Sequence, residues 1–291
     1  MTYNKDRYDS LSAESNKAYE TYKQEKSSLS NRLNEYKSKY NSEISNINGQ
    51  RMELRKELKA LYKFLKPLGK MLKRDVSIFD YRNEDIAPSF NNINLDKIKM
   101  PEYLEHDGIL DATPMRFGHG HIYKHYKNSQ MVIEYEKDIN KGKLEYDNNI
   151  KEIESYIKEL ETACEIAEIY RNTVVMVKDA VSDIIVPEIK YVIAFLYADA
   201  VREQVIECDN SGNVKLHSIV EYKESKYGRH YDFVKNAFDF YEVLEKFFTD
   251  TVLTNIVEDR IVTEQERRDF DEGIQAIKQE LVKLEDMRKV F

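Results

Sequence analysis

The sequence predicts an all-α protein: an elongated helical bundle with a long coiled-coil stalk and a more compact helical end. Among its 291 residues are only 9 Gly and 5 Pro, the two residue types that helix interiors exclude. Charged residues make up 34% of the chain, well above the roughly one quarter of an average globular domain. Apolar residues recur at alternating steps of three and four, which is the heptad pattern of helices that pack side by side.

Residues 1–74 are predicted to form one long N-terminal coiled-coil helix. Its heptad seam keeps its phase across Asn48-Gly49, which favours a continuous helix over a hairpin turn at that point. Pro67 is expected to kink the last turns, because proline lacks the backbone N–H that a helix interior needs. The seam contains Tyr8, Leu11, Ser15, Ala18, Tyr22, Leu29, Leu33, Tyr36, Tyr40, Ile44, Ile47, Arg51, Leu54, Leu58, Leu61, Leu65, Leu68 and Leu72.

The next two segments differ sharply in composition. Residues 75–128 hold three of the five prolines and are predicted to be irregular, with Gly and His among them. Residues 129–182 return to helical periodicity and form the second long helix. Its seam consists of Ile150, Ile153, Ile157, Leu160, Cys164, Ala167 and Val174.

The last two segments complete the bundle. Residues 183–260 are predicted to form a compact helical region, in which Pro187 occupies the first turn of a new helix and a later helix spans about 230–258. Residues 261–291 form a C-terminal helix that packs on the stalk. Thr263 and Glu266 have the spacing of a capping box, which marks the start of that helix.

Several functional classes lack their sequence signatures. The N-terminus has no apolar leader behind a basic start, and the longest uncharged apolar run, residues 191–198, is far shorter than the roughly 20 residues of a spanning helix. Cys164 and Cys208 have no CxxC partner. No P-loop, HExxH or GxSxG motif occurs. We therefore predict a cytoplasmic protein that is not an enzyme and carries no cofactor.

Charge is distributed unevenly along the chain. Residues 1–75 hold 17 Lys and Arg against 10 Asp and Glu, a net of +7, whereas the whole chain has a net charge of −8. The concentration is highest in residues 51–74, where we define a basic strip that falls within one third of the helix circumference. The basic strip consists of Arg51, Arg55, Lys59, Lys63, Lys66, Lys70 and Lys73.

Three interpretations of the basic strip remain open. The strip can be solvated, or paired with acidic residues of residues 150–169 such as Glu152 and Glu159. It can bind an anionic partner, either nucleic acid or an acidic protein surface, with strong salt dependence. It can bind an anionic membrane, but the leucine face would then have to be free, which conflicts with its place in the seam.

Histidines cluster in residues 106–125. His119, His121 and His125 are weak candidate metal ligands, because imidazoles in a Gly-flanked loop can converge on one ion. The HxHxxxH spacing belongs to no fixed fold, and alternate residues of extended backbone point to opposite sides. We therefore predict no metal site, and keep a metal-dependent enzyme that uses this loop as a third hypothesis.

Residues 173–201 form an apolar, amphipathic region broken near Pro187. The simpler interpretation places this region in the core. Long helices with such a hairpin also resemble the general architecture of α-helical pore-forming toxins, a resemblance that rests on no motif and identifies no residues. An α-helical pore-forming or membrane-remodelling protein is therefore the alternative hypothesis for function.

These observations predict a non-catalytic structural or adaptor subunit of an intracellular bacterial or phage multi-protein assembly. Heptad seams of unequal length predict protein partners, or a second copy of the chain in a homo-oligomer, since each seam needs a surface to cover it. The basic strip predicts an anionic partner, while a membrane partner is disfavoured. The partner-binding residues are those of the basic strip.

Overall fold

The structure is a computed structural model that describes the backbone of residues 2–77, 119–203, 217–249 and 262–288. Side chains are described for the same ranges except residues 2–4 and 119–127. All the long elements are α-helices, and no strand occurs within the four described ranges. The predicted all-α class is confirmed.

Five α-helices make up the described chain. They are α1 (Thr2–Leu72), α2 (His119–Ala180), α3 (Val186–Arg202), α4 (Gly228–Thr249) and α5 (Glu264–Arg288). A 3₁₀ turn, Ile219–Tyr222, precedes α4. Helix α1 passes through Asn48 and Gly49 without a break, as the phase of its seam predicted.

Helix α2 begins at His119, ten residues before the predicted start at residue 129. The reason lies in the sequence of its first turns, where Gly118 and Gly120 dilute the apolar periodicity from which helices are recognised. His119, His121 and His125 therefore belong to the first turns of a helix and not to a loop. Residues 78–118, most of the segment predicted to be irregular, lie outside the described ranges.

Helices α2 and α3 are joined by one π-helical turn, Val181–Ile185. The backbone N–H of Val186 donates to the carbonyl of Val181, five residues back, and the flanking residues keep helical dihedral angles. Pro187 follows within the first two positions of α3. A proline ring clashes with the carbonyl four residues earlier, and the wider turn gives that carbonyl room. The predicted break is therefore a π turn inside a continuous helical run.

The chain divides into two compact units. In the first, residues 2–39 of α1 pack against α2 as far as Thr162. Arg7 pairs with Glu136 at 2.7 Å, and Arg32 pairs with Glu161 at 3.5 Å. Both pairs are separated by 129 residues, so partner numbers rise together and the two helices run parallel. Their interface is aromatic, with stacked rings at Tyr8–Tyr135 (5.1 Å) and Tyr22–Tyr146 (4.5 Å).

In the second unit, the rest of α1 packs against the end of α2 and against α3. Arg171 pairs with Glu43 at 3.2 Å and Lys178 with Glu53 at 3.1 Å, so the helices are parallel here as well. Eight of the ten predicted seam members in this part of α1 are buried. They are Tyr40, Ile44, Ile47, Leu54, Leu58, Leu61, Leu65 and Leu68.

Helices α4 and α5 form an antiparallel pair in the second unit. Phe247 near the end of α4 meets Phe270 near the start of α5, with ring centroids 5.7 Å apart. The amide of Asn236, early in α4, contacts the sulfur of Met287 near the end of α5 at 3.3 Å. The capping box is confirmed, since the N–H of Glu266 donates to Thr263 Oγ1 at 3.2 Å and the N–H of Thr263 to the Glu266 carboxylate at 2.9 Å. Buried apolar residues line α5: Phe270, Ile274, Ile277, Leu281 and Leu284.

Candidate functional site

The basic strip lies on the C-terminal half of α1, within the second unit. Its five lysines, from Lys59 to Lys73, are exposed, whereas Arg51 and Arg55 are partly buried. The arginines lie closer to the helix interface because steps of four residues drift around the helix relative to a seam that advances by 3.5. The five lysines of the predicted strip thus lie together on the outer face of α1, the side that points away from the buried leucines.

One further lysine belongs to that outer face. With the leucines at heptad positions a and d, Lys56 takes position f, and it is exposed. Five lysines then alternate between positions f and b at steps of 3, 4, 3 and 4, and Lys73 follows at the cap, one residue past the end of α1. We call them the outer lysine row: Lys56, Lys59, Lys63, Lys66, Lys70 and Lys73. Numbering the heptads from Leu54 and Leu58 would have identified Lys56 in the sequence.

The outer lysine row is not neutralised by the chain over the described ranges. None of its six ammonium groups lies within 4.0 Å of an acidic side chain there. The acidic residues suggested as internal partners have other contacts, because Glu161 pairs with Arg32 and Glu152 accepts a hydrogen bond from Tyr156 at 3.0 Å. Self-pairing of the row is therefore not seen in the part of the chain that the structure describes.

Aromatic contact with the row is limited. The ammonium of Lys66 lies 5.6 Å from the centre of the Tyr62 ring on the same helix, and Tyr62 is partly buried. Stacking of nucleic-acid bases needs exposed rings. The face therefore offers positive charge and little stacking surface.

The C-terminal end of the row is fixed by a helix cap and an ion-pair clamp. Lys73 has a φ of 55°, and the N–H of Arg74 donates to the carbonyl of Gly69 at 2.9 Å, which is the closing bond of a Schellman motif. The guanidinium of Arg74 then reaches α4, where it pairs with Asp239 at 2.7 Å and Glu242 at 2.6 Å. Arg74 is thus a structural cation, unlike the lysines of the row, which have no acidic partner among the described side chains.

A buried polar cluster lies between α3 and the 3₁₀ turn. Asp199, only 6% exposed, accepts hydrogen bonds from Tyr222 and pairs with Arg202. Burial, followed by the hydrogen bond to Asp199, raises the pKa of the Tyr222 hydroxyl. Every polar group of the cluster has a partner, so its role is structural, and it ties the 3₁₀ turn to α3.

Aromatic rings surround the same turn. Phe195 contacts the rings of Tyr222, Tyr227 and His230 at 4.8–5.3 Å. Burial, with a smaller effect of Arg229, lowers the pKa of His230. His230 is 7% exposed and lies among these packed rings, so it belongs to the core.

A cleft of about 200 Å³ opens between the two helices of the first unit. Small residues create it, since Ser15, Ala18 and Gly142 line the wall and a Cβ added at Gly142 would meet nothing within 4 Å. Tyr135 and Tyr146 close its sides. Burial raises the pKa of Tyr146 to about 12, so this hydroxyl is neutral at physiological pH.

Apolar side chains are exposed on α3. Tyr191, Tyr197 and Val201 have exposed fractions of 54%, 48% and 43%. The opposite side of residues 173–201 belongs to the core, as the sequence predicted. Val177, Val181 and Ile189 are fully buried there. None of the helices, over their described residues, combines the length and apolar character needed to cross a membrane.

The histidine candidates fall outside the described side chains. His119, His121 and His125 have a helical backbone, but their side chains belong to the undescribed residues 119–127. Among described side chains, no group of three or more His, Cys, Asp or Glu is placed to hold a metal ion. The metal hypothesis for these three residues stays untested.

Comparison of the chain with models of known protein families, with curated proteins and with solved structures gives no match.

Proposed function

We propose that this protein is a non-catalytic structural or adaptor subunit of a bacterial or phage multi-protein assembly in the cytoplasm. In this proposal the parallel helices serve as a stalk, and the outer lysine row binds an anionic partner. The observation that carries the proposal is the row itself: five exposed lysines on one helix face and a sixth, Lys73, at the cap of that helix, without an acidic partner among the described residues.

The energetics of like charges support a reserved surface. Six lysines spaced by three or four residues repel one another, since like charges at such spacing destabilise a helix by a few tenths of a kcal/mol per pair, about 0.2–0.5. An acidic residue at any of these positions would relieve that repulsion. An anionic partner relieves it as well and gains binding free energy by doing so.

The burial of the apolar helix faces favours the adaptor over the membrane-active alternative. Insertion into a bilayer needs a free apolar face, and the leucines of this part of α1 are buried against other helices. The apolar region of residues 173–201 likewise directs Val174, Val177 and Val181 into the core. We carry the adaptor proposal forward for that reason.

Retention on a heparin column tests the proposal without presupposing the partner. We define a row variant, with Lys56, Lys59, Lys63 and Lys66 changed to Glu. The matched control variant changes four other exposed α1 lysines to Glu: Lys5, Lys17, Lys23 and Lys39. Both variants change the net charge equally. We expect wild type and control variant to be retained and to elute with added salt, because screening weakens exposed charge interactions.

The row variant is expected to pass through the same column unretained. Lys70 is kept in that variant because it lies in the last turn of α1, where the helix dipole favours a cation. Equal retention of the row variant and the control variant would contradict the proposal, since binding would then follow net charge and not the row.

A further inference from the structure

We infer that the outer lysine row binds the phosphate backbone of a double-stranded nucleic acid without reading its base sequence. This inference rests on the proposed function, because it names the anionic partner of the same row. It depends on three properties of the row: its spacing, its chemical uniformity and its position on the helix.

The spacing suits a regular polyanion. Consecutive lysines are three or four residues apart, so from Lys56 to Lys70 they follow one another every ~5 Å along α1, over about 21 Å. Because the row and the leucine seam share one heptad period, the row keeps a constant angle to the seam. A duplex strand carries one phosphate per about 3.4 Å of its axis. A straight row of this length therefore meets several phosphates at once.

Uniformity argues against an acidic protein as the partner. Protein interfaces are built around an apolar centre and are depleted in lysine. Positions b and f of α1 carry lysine alone from Lys56 to Lys70, so the row itself provides no large apolar anchor. Two exposed apolar residues share that face, namely Pro67 at position c within the row and Met52 one turn before the row.

Lysine also determines how the backbone is recognised. Its ammonium is a flexible point charge that follows phosphates in any register, whereas arginine forms fixed two-point contacts. Reading a base sequence takes several side-chain types, with arginine or lysine at guanine, asparagine or glutamine at adenine and acidic side chains at cytosine. The b and f positions of the row hold lysine alone. Binding should therefore be insensitive to sequence.

The salt dependence of duplex binding tests this inference. A fluorescent mixed-sequence duplex of about 20 base pairs is longer than the row, so all of its lysines can contact the duplex at once. Fluorescence anisotropy would follow its binding to the full chain between about 50 and 200 mM salt. If all six lysines engage phosphates, log K should fall with log salt at a slope of about −5. A second duplex of different sequence should bind equally well.

Neutral substitutions count the contacts. Lys59→Gln with Lys66→Gln should make the slope shallower by about 2 and weaken binding by about 60-fold near 0.1 M salt. The control, Lys17→Gln with Lys23→Gln, changes two exposed lysines of the same helix and should leave both quantities unchanged. Circular dichroism of each variant must match that of wild type, so that lost binding is not lost folding.

Two further probes separate this inference from the proposed function. These are a polyglutamate peptide and phosphatidylcholine vesicles containing phosphatidylserine. If polyglutamate binds through the row while the duplex does not, the inference is overturned and the proposed function stands. If only the vesicles bind through the row, the inference is overturned and the membrane-active alternative replaces the proposed function. If no probe depends on the row, both are overturned. Duplex binding that the paired Gln substitutions leave unchanged also overturns the inference.

Discussion

Phe238→Ala is expected to lower the free energy of unfolding by about 3–5 kcal/mol, the usual cost of removing a buried phenyl ring. Phe238 is 1% exposed, and its ring lies 3.2 Å from the position that a Cβ would take at Gly69. The guanidinium of Arg74 stands 5.4 Å from the ring centre. One ring therefore supports both the packing of α4 against α1 and the cation that ends the lysine row.

Urea unfolding, followed by circular dichroism, measures this effect. The matched control is Val282→Ala on α5, because Val282 is 55% exposed and its truncation should change stability by no more than about 0.5 kcal/mol. Equal effects of the two substitutions would show that α4 does not pack on the end of α1 as the structure has it.

Asp199→Ala is expected to lower the free energy of unfolding by about 2 kcal/mol. The substitution leaves the buried Tyr222 hydroxyl without its acceptor, and the desolvation of an unpaired buried group is a cost that folding must then bear. Arg202 is largely exposed and regains water, so it adds little to the loss.

A double-mutant cycle isolates this interaction. Tyr222→Phe removes the hydroxyl, and Asp199→Ala in that background should cost less than in wild type, with a coupling between about 0.5 and 3 kcal/mol. Urea denaturation of the four proteins gives the coupling. Strict additivity would mean that the hydrogen bond between Tyr222 and Asp199 contributes nothing to stability.

The residues that are buried in the long helices were predictable from the sequence, because a heptad seam is buried by whichever helix packs against it. The seam residues from Leu54 to Leu68 in α1 and from Ile153 to Val174 in α2 are buried where the pattern placed them. The capping box at Thr263 was predictable for a similar reason, since its hydrogen bonds are local.

Helix direction was not predictable, because a heptad seam has the same spacing in a parallel and an antiparallel pair. The parallel arrangement is visible only in pairs distant in sequence, such as Arg7 with Glu136. The π turn before Pro187 was missed for a different reason: proline predicts a helix start as readily as a widened turn inside one.

The candidate site was predictable in part. The concentration of cations in residues 51–74 is evident from the sequence. Choosing cations mostly four residues apart, however, added Arg51 and Arg55 to the basic strip and omitted Lys56. The absence of an acidic partner for the row among the described residues could not be inferred, because it depends on where distant acidic residues lie. In the structure, Glu161 is held by Arg32 of the first unit.

The free energy of unfolding of the row variant tests the central claim most directly, namely that the outer lysine row faces a partner and does not hold the fold. Exposed charges that pair with nothing contribute little to stability. We therefore expect the row variant to unfold in urea within about 1 kcal/mol of wild type and of the control variant. A loss of about 3 kcal/mol or more, absent from the control variant, would contradict the claim, because it would show that these lysines are bound within the chain.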